Sequence, residues 1–576
     1  MKSASSPIST RVHRLRPLLL TCAALTLAAA APSAIIPADR LISWQPGVPG
    51  GIPDRETVFA DVSKAPYSAD KTGAADASGP IQQAINACPV GQVVYIPTGT
   101  YRLNSQLTIT KGIVVRGDGP GRTKLESYAN WHAIQMGDWP SAPVATNVTG
   151  SPAKGTSTLT VSSITNPALA VGTYIVIDQI NDGNEVVNVD AQSRDNNTRC
   201  LSQITKVTSI SGSGSSYTIG ISPALYHSYA AAQTPQVWKL NQGIAMTEYA
   251  GLENLSVDRI APIAQNGYSN IKMVACAYCW VRNVESTFAI FRHVDLDRSF
   301  RCEIRDSLFD NGYYHETGGY AYGVVCGNRA TDILTENNTF HHLRHSMVVT
   351  EGATGCVYGY NYSFETYQGD AWLAPDMFVH GAHANMNLFE GNYATKIDGD
   401  FTHGSGSYNT FFRNFVTRTS TAVTVTGGRW PVNNDVTHSY SNFVGNVLGS
   451  PGLTWTADET STTRNTSSTY EWSWGFRGDG DTSRDATTPR DTALRHGNFE
   501  PISQSVVWDA TISDHALPAS LYLTSTPAFF GSVVWPSLGA DLSAAGGILP
   551  AKARYEAGFE TPGQMPTNAK VSIETD

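Results

Sequence analysis

Charge is scarce in this sequence. Asp, Glu, Lys and Arg make up 15% of 576 residues, and Lys+Arg number 39 against 49 Asp+Glu. Without a basic excess the chain lacks the footprint that a phosphate backbone demands, so nucleic acid is excluded as an expected partner. The hydrophobic content of 41% equally excludes a disordered chain. Beyond the N-terminal region no apolar run reaches membrane-spanning length without charges or Gly and Pro breaks, which removes a bilayer from the expected partners. What the sequence has in quantity is turn and aromatic chemistry. It holds 51 Gly and 30 Pro with 25 Tyr, 19 Phe and 12 Trp, a composition that suits β structure and excludes long helical bundles.

Lys2, Arg11, Arg14 and Arg16 precede an apolar stretch from Pro17 to Ala31 that closes on small residues. This pattern predicts a secretory signal peptide over 1–31, cut between Ala31 and Ala34, and hence a secreted or periplasmic protein. Losing those four bases leaves 35 Lys and Arg against 49 acids, a net charge of −14. Seven cysteines remain: Cys88, Cys200, Cys276, Cys279, Cys302, Cys326 and Cys356. An odd number leaves at least one thiol free. Cys276-x-x-Cys279 has no second pair at zinc-knuckle spacing, while the 23- and 24-residue steps from Cys279 to Cys302 and Cys326 fit one Cys per turn of a repeating structure.

Between Asp54 and Leu125, residues 78–88 predict a short amphipathic helix capped by Ser78, with Ile81, Ala84, Ile85 and Cys88 on one face. Short strands follow at 93–96, 101–103, 107–109 and 113–116, separated by turn residues. The stretch IQQAINACPVGQVVYIPTGTYRLNSQLTI, continuing to VVRGDGPGRTKL, resembles the opening of pectate-lyase-superfamily proteins. That resemblance implies an all-β, right-handed parallel β-helix with the helix as its N-terminal cap. The acidic Gly-Asp-Gly usual before the helix is replaced here by Lys71-Thr-Gly-Ala-Ala-Asp76.

The expected plan is a cap and first coils over 41–147, a small inserted β domain over 148–240, central coils over 241–450, and last coils, a wrapping segment and a polar tail over 451–576. Within the insertion, loops at Asp182 to Glu185 and Asp195 to Thr198 read as solvated turns, with a calcium ion as the alternative. From 247 onward an Asn or Ser beside an apolar residue recurs at Asn254, Asn283, Ser307, Asn338, Asn361, Asn392, Asn414 and Asn446, in steps of 22 to 32 residues. Periods of this size predict a solenoid, and stacked Asn side chains bonded to each other give the repeat an architectural role.

Aligning the coils on segments ending in Gly places Cys326, Glu351, His380, His403 and Thr426 at equivalent positions. Alternation along a strand then predicts that Val325, Thr350, Val379, Thr402 and Val425 face the core, while Glu351, His380 and His403 form an outward row with Asp376, Asp398 and Asp400 nearby. A solvated sheet face is the plain reading of this patch. A metal site from Glu351, His380 and His403 is chemically reasonable, but no metal or other cofactor is required, with calcium as the alternative. Phe378 and Phe401 on the same face favour a sugar-binding cleft, because a pyranose offers both an apolar face and a rim of hydroxyls.

Hydrolysis of a glycosidic bond needs a protonated carboxyl and an ionised one, and stacked coils can supply both. Asp376 and Asp400 are the expected acid/base pair. Asp398, Glu351, His380 and His403 complete the catalytic set, and Arg344, His345, His383, Trp372, Phe378 and Phe401 are expected to bind substrate. The arrangement resembles polygalacturonases, whose clefts hold several Asp and a His-Gly, here Asp376, Asp398, Asp400 and His403-Gly404. Their Asn-Thr-Asp, Asp-Asp and Arg-Ile-Lys motifs are absent. The reading is therefore a secreted glycoside hydrolase acting on a polysaccharide or oligosaccharide. A polysaccharide lyase is the alternative, with Arg344-His345, Arg413 and Lys396 neutralising a uronate and His380 or His403 as base. A non-catalytic glycan-binding β-helix, with Trp280, Trp372, Trp430 and Tyr313-Tyr314 as platforms, is the third.

Overall fold

The computed structural model describes residues 1, 35–190, 198–261, 264–316, 318–369, 371–422, 424–449, 456–459, 464, 470–478, 484–485, 487–542 and 547–559. The signal-peptide segment, the loop at Asp195 and the tail after Pro562 lie outside these residues.

Parallel strands wind into a solenoid, a right-handed parallel β-helix. An 11-stranded parallel sheet runs from Leu107–Ile109 through Tyr322–Gly327, His345–Val349, Met377–Val379, Ile397–Gly399 and Val432–Asn434 to Thr456–Asp458. A 23-stranded sheet, parallel except at Asn498–Glu500 with Ser505–Val507, forms the broadest wall. A third face is stitched by parallel bridges from Ala277 through Phe300, Thr331 and Thr354 to Asn385, continuing into the strands Gly406–Ser407 and His438–Ser439. Among the described residues α-helix is confined to Ser78–Ala87, Thr487–Thr492 and Pro550–Glu556.

One core fills the solenoid from end to end. Ile81, Ala84, Ile85 and Cys88 of the first helix plug its start. Ser78 is the first helical residue rather than the cap: its N–H and hydroxyl both donate to Asp76, at 3.0 and 2.6 Å. Inside, aromatic rings stack coil upon coil, from Tyr358 to Phe389, Phe411 and Phe443 at 5.0 to 5.2 Å. All seven described cysteines are buried, and none is joined in a disulfide.

Residues 145–239 form a separate six-stranded antiparallel sheet, with Ala145–Asn147 and Thr158–Val161 as its edge strands. Its own core includes Ile175, Ile177, Leu201 and Val237, and Ala382 of the solenoid packs against it.

The asparagine repeat resolves into two adjacent columns. Asn254 and Asn283 adopt left-handed backbone and bond to each other at 2.9 Å. Strand register places Arg282 against Arg305 and Glu285 against Leu308, so Asn283 stacks on Asp306, not on Ser307. The true ladder runs Asn338, Asn361, Asn392, Asn414, Asn446 and Asn498, each Nδ2 donating to the next Oδ1 at 2.9 to 3.1 Å. The residue before each rung is left-handed, and Gly391, Gly445 and Gly497 supply it without the Cβ penalty. A shorter ladder, Asn387 to Asn409, lines another turn.

Candidate functional site

The outward row of the 11-stranded sheet is fixed by its register. Val325 lies beside Val348, Val348 beside Phe378, Phe378 beside Asp398 and Asp398 beside Asn433. The core-facing residues are instead Val324, Cys326, Met347, Val349, Met377 and Val379. The Gly-based alignment therefore slips. Cys326 pairs with Val349 and Val349 with Val379, two residues before Glu351 and one before His380, because the connecting turns differ in length. Of the five expected core positions only Val379 is core. Val325 faces the cleft floor, Thr350 and Thr402 line the cleft, and Val425 belongs to a peripheral loop.

Over this row lies a cleft of about 580 Å³. Val325, Val348 and Phe378 make an apolar floor with Tyr322. Phe378 is not an open platform: it is 4% exposed, with His345 and His380 packed on it at ring distances of 4.4 Å. Trp372 and Trp430 meet edge to face at 5.6 Å on one side. Arg344 donates to Gln368 at 3.0 Å on the cleft wall. Phe401 does not line the cleft. It sits under the Arg477 guanidinium at 4.8 Å.

The carboxylates concentrate at one end. Because Asp398 pairs with Asn433 and Gly399 with Asn434, Asp398-Gly-Asp400 stacks on Asn433-Asn-Asp435 of the next coil. Asp400 and Asp435 thus occupy equivalent positions about 4.8 Å apart in backbone. The Asn433 side-chain nitrogen bridges Asp398 at 2.6 Å and Asp435 at 3.1 Å, and Lys396 forms an ion pair with Asp398 at 2.8 Å. Asp435 also binds Arg464 at 2.5 Å. Burial first, with the neighbouring Asp398 and Asp400 charges, pushes the Asp435 carboxyl up to about 7 against the pull of Arg464.

Asp400 is displaced the other way. Burial would raise it, but the His380 imidazole at 2.8 Å and the Thr402 hydroxyl outweigh that and hold it well below the usual carboxylate range. Two carboxyls in equivalent positions are therefore driven apart, one toward the acid form and one toward the ion. Glu351 sits on the opposite side, raised by burial despite the nearby Arg292. His403 caps the rim, its Nδ1 on Asp190 of the inserted domain at 2.5 Å.

Besides Phe401, two more expected site residues lie elsewhere. Asp376 is fully buried and accepts from Ser346, Ser363, Thr366 and Thr395, so it braces the interior turn and touches no cleft surface. His383 is also fully buried, on the side of the solenoid facing the insertion, with Nδ1 on Ser405 at 2.9 Å. Arg413, a cation of the lyase alternative, binds Asp541 and the carbonyls of Leu517, Pro518 and Leu538. Trp280 is buried with its indole N–H on Glu253. Asp435, Asn433, Arg292, Arg464 and Arg477 were absent from the expected set. The strand register that would have stacked Asp400 on Asp435 was hidden by the 35-residue step between them.

Residues 62–221 match the family model described as rhamnogalacturonase A/epimerase, pectate lyase-like. The fold is that of the pectate-lyase-like β-helices. No curated protein matches by sequence. Among solved structures, the tailspike gp61 of Pseudomonas phage phi297 is 15% identical, with a TM-score of 0.49 over 69% of this chain and 66% of its own. The gp54 tailspike of Acinetobacter baumannii bacteriophage AP22, solved with a capsular saccharide, is 14% identical, with a TM-score of 0.40 over 67% of this chain and 60% of that one. The A-module of the mannuronan C-5 epimerase AlgE6 from Azotobacter vinelandii is 12% identical, with a TM-score of 0.39 over 72% of this chain and 95% of the module. The chain thus spans just under two thirds of the length of these tailspikes.

Proposed function

We propose that this is an exported carbohydrate-active enzyme that hydrolyses glycosidic bonds of a polysaccharide in the cleft over Asp398, Asp400 and Asp435. The observation that carries the reading is the stacking of Asp400 on Asp435 with their proton affinities driven in opposite directions. Asp435, held protonated near neutrality, gives its proton to the departing glycosidic oxygen. Asp400, held ionised by His380 and Thr402, takes a proton from the attacking water, so each turnover consumes one water and regenerates both groups. The Asp400–Asp435 pair replaces the expected Asp376–Asp400 pair. The match of 62–221 to a rhamnogalacturonase/epimerase family supports a glycan as substrate, and the N-terminal pattern at 1–31 supports export.

A second reading is favoured by one observation: Arg292, Arg344, Arg464 and Arg477 all line the cleft, against Glu351, Asp398, Asp400 and Asp435. The cleft is locally far less acidic than the chain as a whole, which suits a uronate-bearing glycan and β-elimination. A panel of neutral and acidic glycans decides between them. New reducing ends without a near-ultraviolet chromophore are expected; an unsaturated, absorbing product replaces hydrolysis by elimination, and no product on any glycan leaves only binding.

A further inference from the structure

Away from the cleft, three side chains from distant parts of the chain converge where the inserted domain meets the solenoid. Glu185 and His227 come from the insertion, and His383 comes from the turn after the strand Met377–Val379. Their ligand atoms all lie within 4.8 Å of one another, and Glu185 Oε1 is 3.5 Å from His227 Nε2.

Each imidazole is already oriented through its other nitrogen. His383 Nδ1 is bonded to Ser405 Oγ at 2.9 Å, and His227 Nδ1 to the Ser228 carbonyl at 3.0 Å. Outer partners of this kind set ring direction and tautomer in metal sites, and they leave Nε2 as the ligand here. His383 is 0% exposed, yet its Nε2 has no hydrogen-bond partner. A buried imidazole nitrogen without a partner is costly unless something fills the gap.

We infer that Glu185, His227 and His383 form a site for a divalent transition cation, best suited to Zn²⁺, that clasps the inserted domain to the β-helix. Two imidazoles and one carboxylate form a familiar zinc ligand set, and a fourth position remains for water. The site is distinct from the proposed catalytic cleft and does not rest on the glycosidase reading. Its consequence for the cleft is mechanical. The loop after Glu185 runs along the rim, where Asn188 bridges Gly404, Val189 N–H donates to the His403 carbonyl at 3.1 Å, and Asp190 meets His403.

The test is titration of the metal-stripped full chain with Co²⁺, followed by competition with Zn²⁺. The parent should develop the visible d–d bands of low-symmetry Co²⁺ with one equivalent, without a thiolate charge-transfer band, and should lose them to Zn²⁺. It should also melt at a higher temperature with Zn²⁺ than without. Glu185→Gln and His227→Gln, both partly exposed and tolerable to the fold, should each weaken binding at least tenfold, whereas His341→Gln, in the separate His341, His342 and Glu365 cluster, should leave it unchanged. Absence of bands in the parent overturns the proposal, as does parent-like binding in both Gln variants or loss of binding only in His341→Gln.

Discussion

Asp400 and Asp435 differ by one coil and by what surrounds them, and their chemistry diverges accordingly. Asp435→Asn and Asp400→Asn should each lower kcat by about 10² or more, the scale of general acid–base help. The alkaline limb of kcat/KM near pH 7 should disappear in Asp435→Asn, because the acid form of Asp435 is the one consumed above that pH. Stability should follow the same proton. The native carboxyl lies above its unfolded value, so its contribution is full below the ordinary carboxylate range and lost as pH rises through about 7. Urea midpoints of the parent should therefore fall relative to Asp435→Asn between pH 5 and pH 8. Asp376 behaves oppositely. Its removal strands hydroxyl donors from Ser363, Thr366 and Thr395, and Asp376→Ala should cost about 2 kcal/mol or more in urea unfolding.

The Asn ladder sets the behaviour of single coils. Asn361 bonds upward to Asn392 and downward to Asn338, and it also donates to the Thr335 carbonyl. Asn361→Ala should lower stability by about 1 to 3 kcal/mol while leaving kcat of the surviving fold unchanged, measured by urea unfolding and initial rates. Much of this level was legible in the residues. The capping helix, the strands through Val114–Arg116 and the stacked Asn column were all readable, because each obeys a local period. The register across coils was not. The step from Asp376 to Asp398 is 22 residues and that from Asp400 to Asp435 is 35, so a solenoid with variable loops hides which residues stack. Gly residues, which mark turns of several kinds, misaligned Glu351 and His403 by two or more positions. His383 and Glu185 were similarly opaque, since they are 198 residues apart in sequence and meet only through docking of the insertion.

At the scale of the whole molecule, the C-terminal segment is strapped back onto the coils. The Arg413 guanidinium holds Asp541 at 2.7 and 2.9 Å together with three backbone carbonyls. Arg413→Ala should release this strap and speed limited proteolysis after residue 510, with the central coils left intact. The seven described cysteines make a further expectation: melting should not change with added reductant, since no disulfide joins any of them. The rim of the cleft bears on time as well as space. Residues 187–190 join 403–405 across more than 200 residues, with a Val187 to Ser405 contact separated by 218 positions. Among the insertion's described strand pairs only the hairpin of Ser202–Ser213 with Ser216–Ser222 is local, and local hairpins form early and distant closures late. On refolding from urea, β-sheet signal should therefore return before the proposed glycan cleavage, because the cleft gains this part of its rim only when the chain's middle comes back to meet a loop laid down long before it.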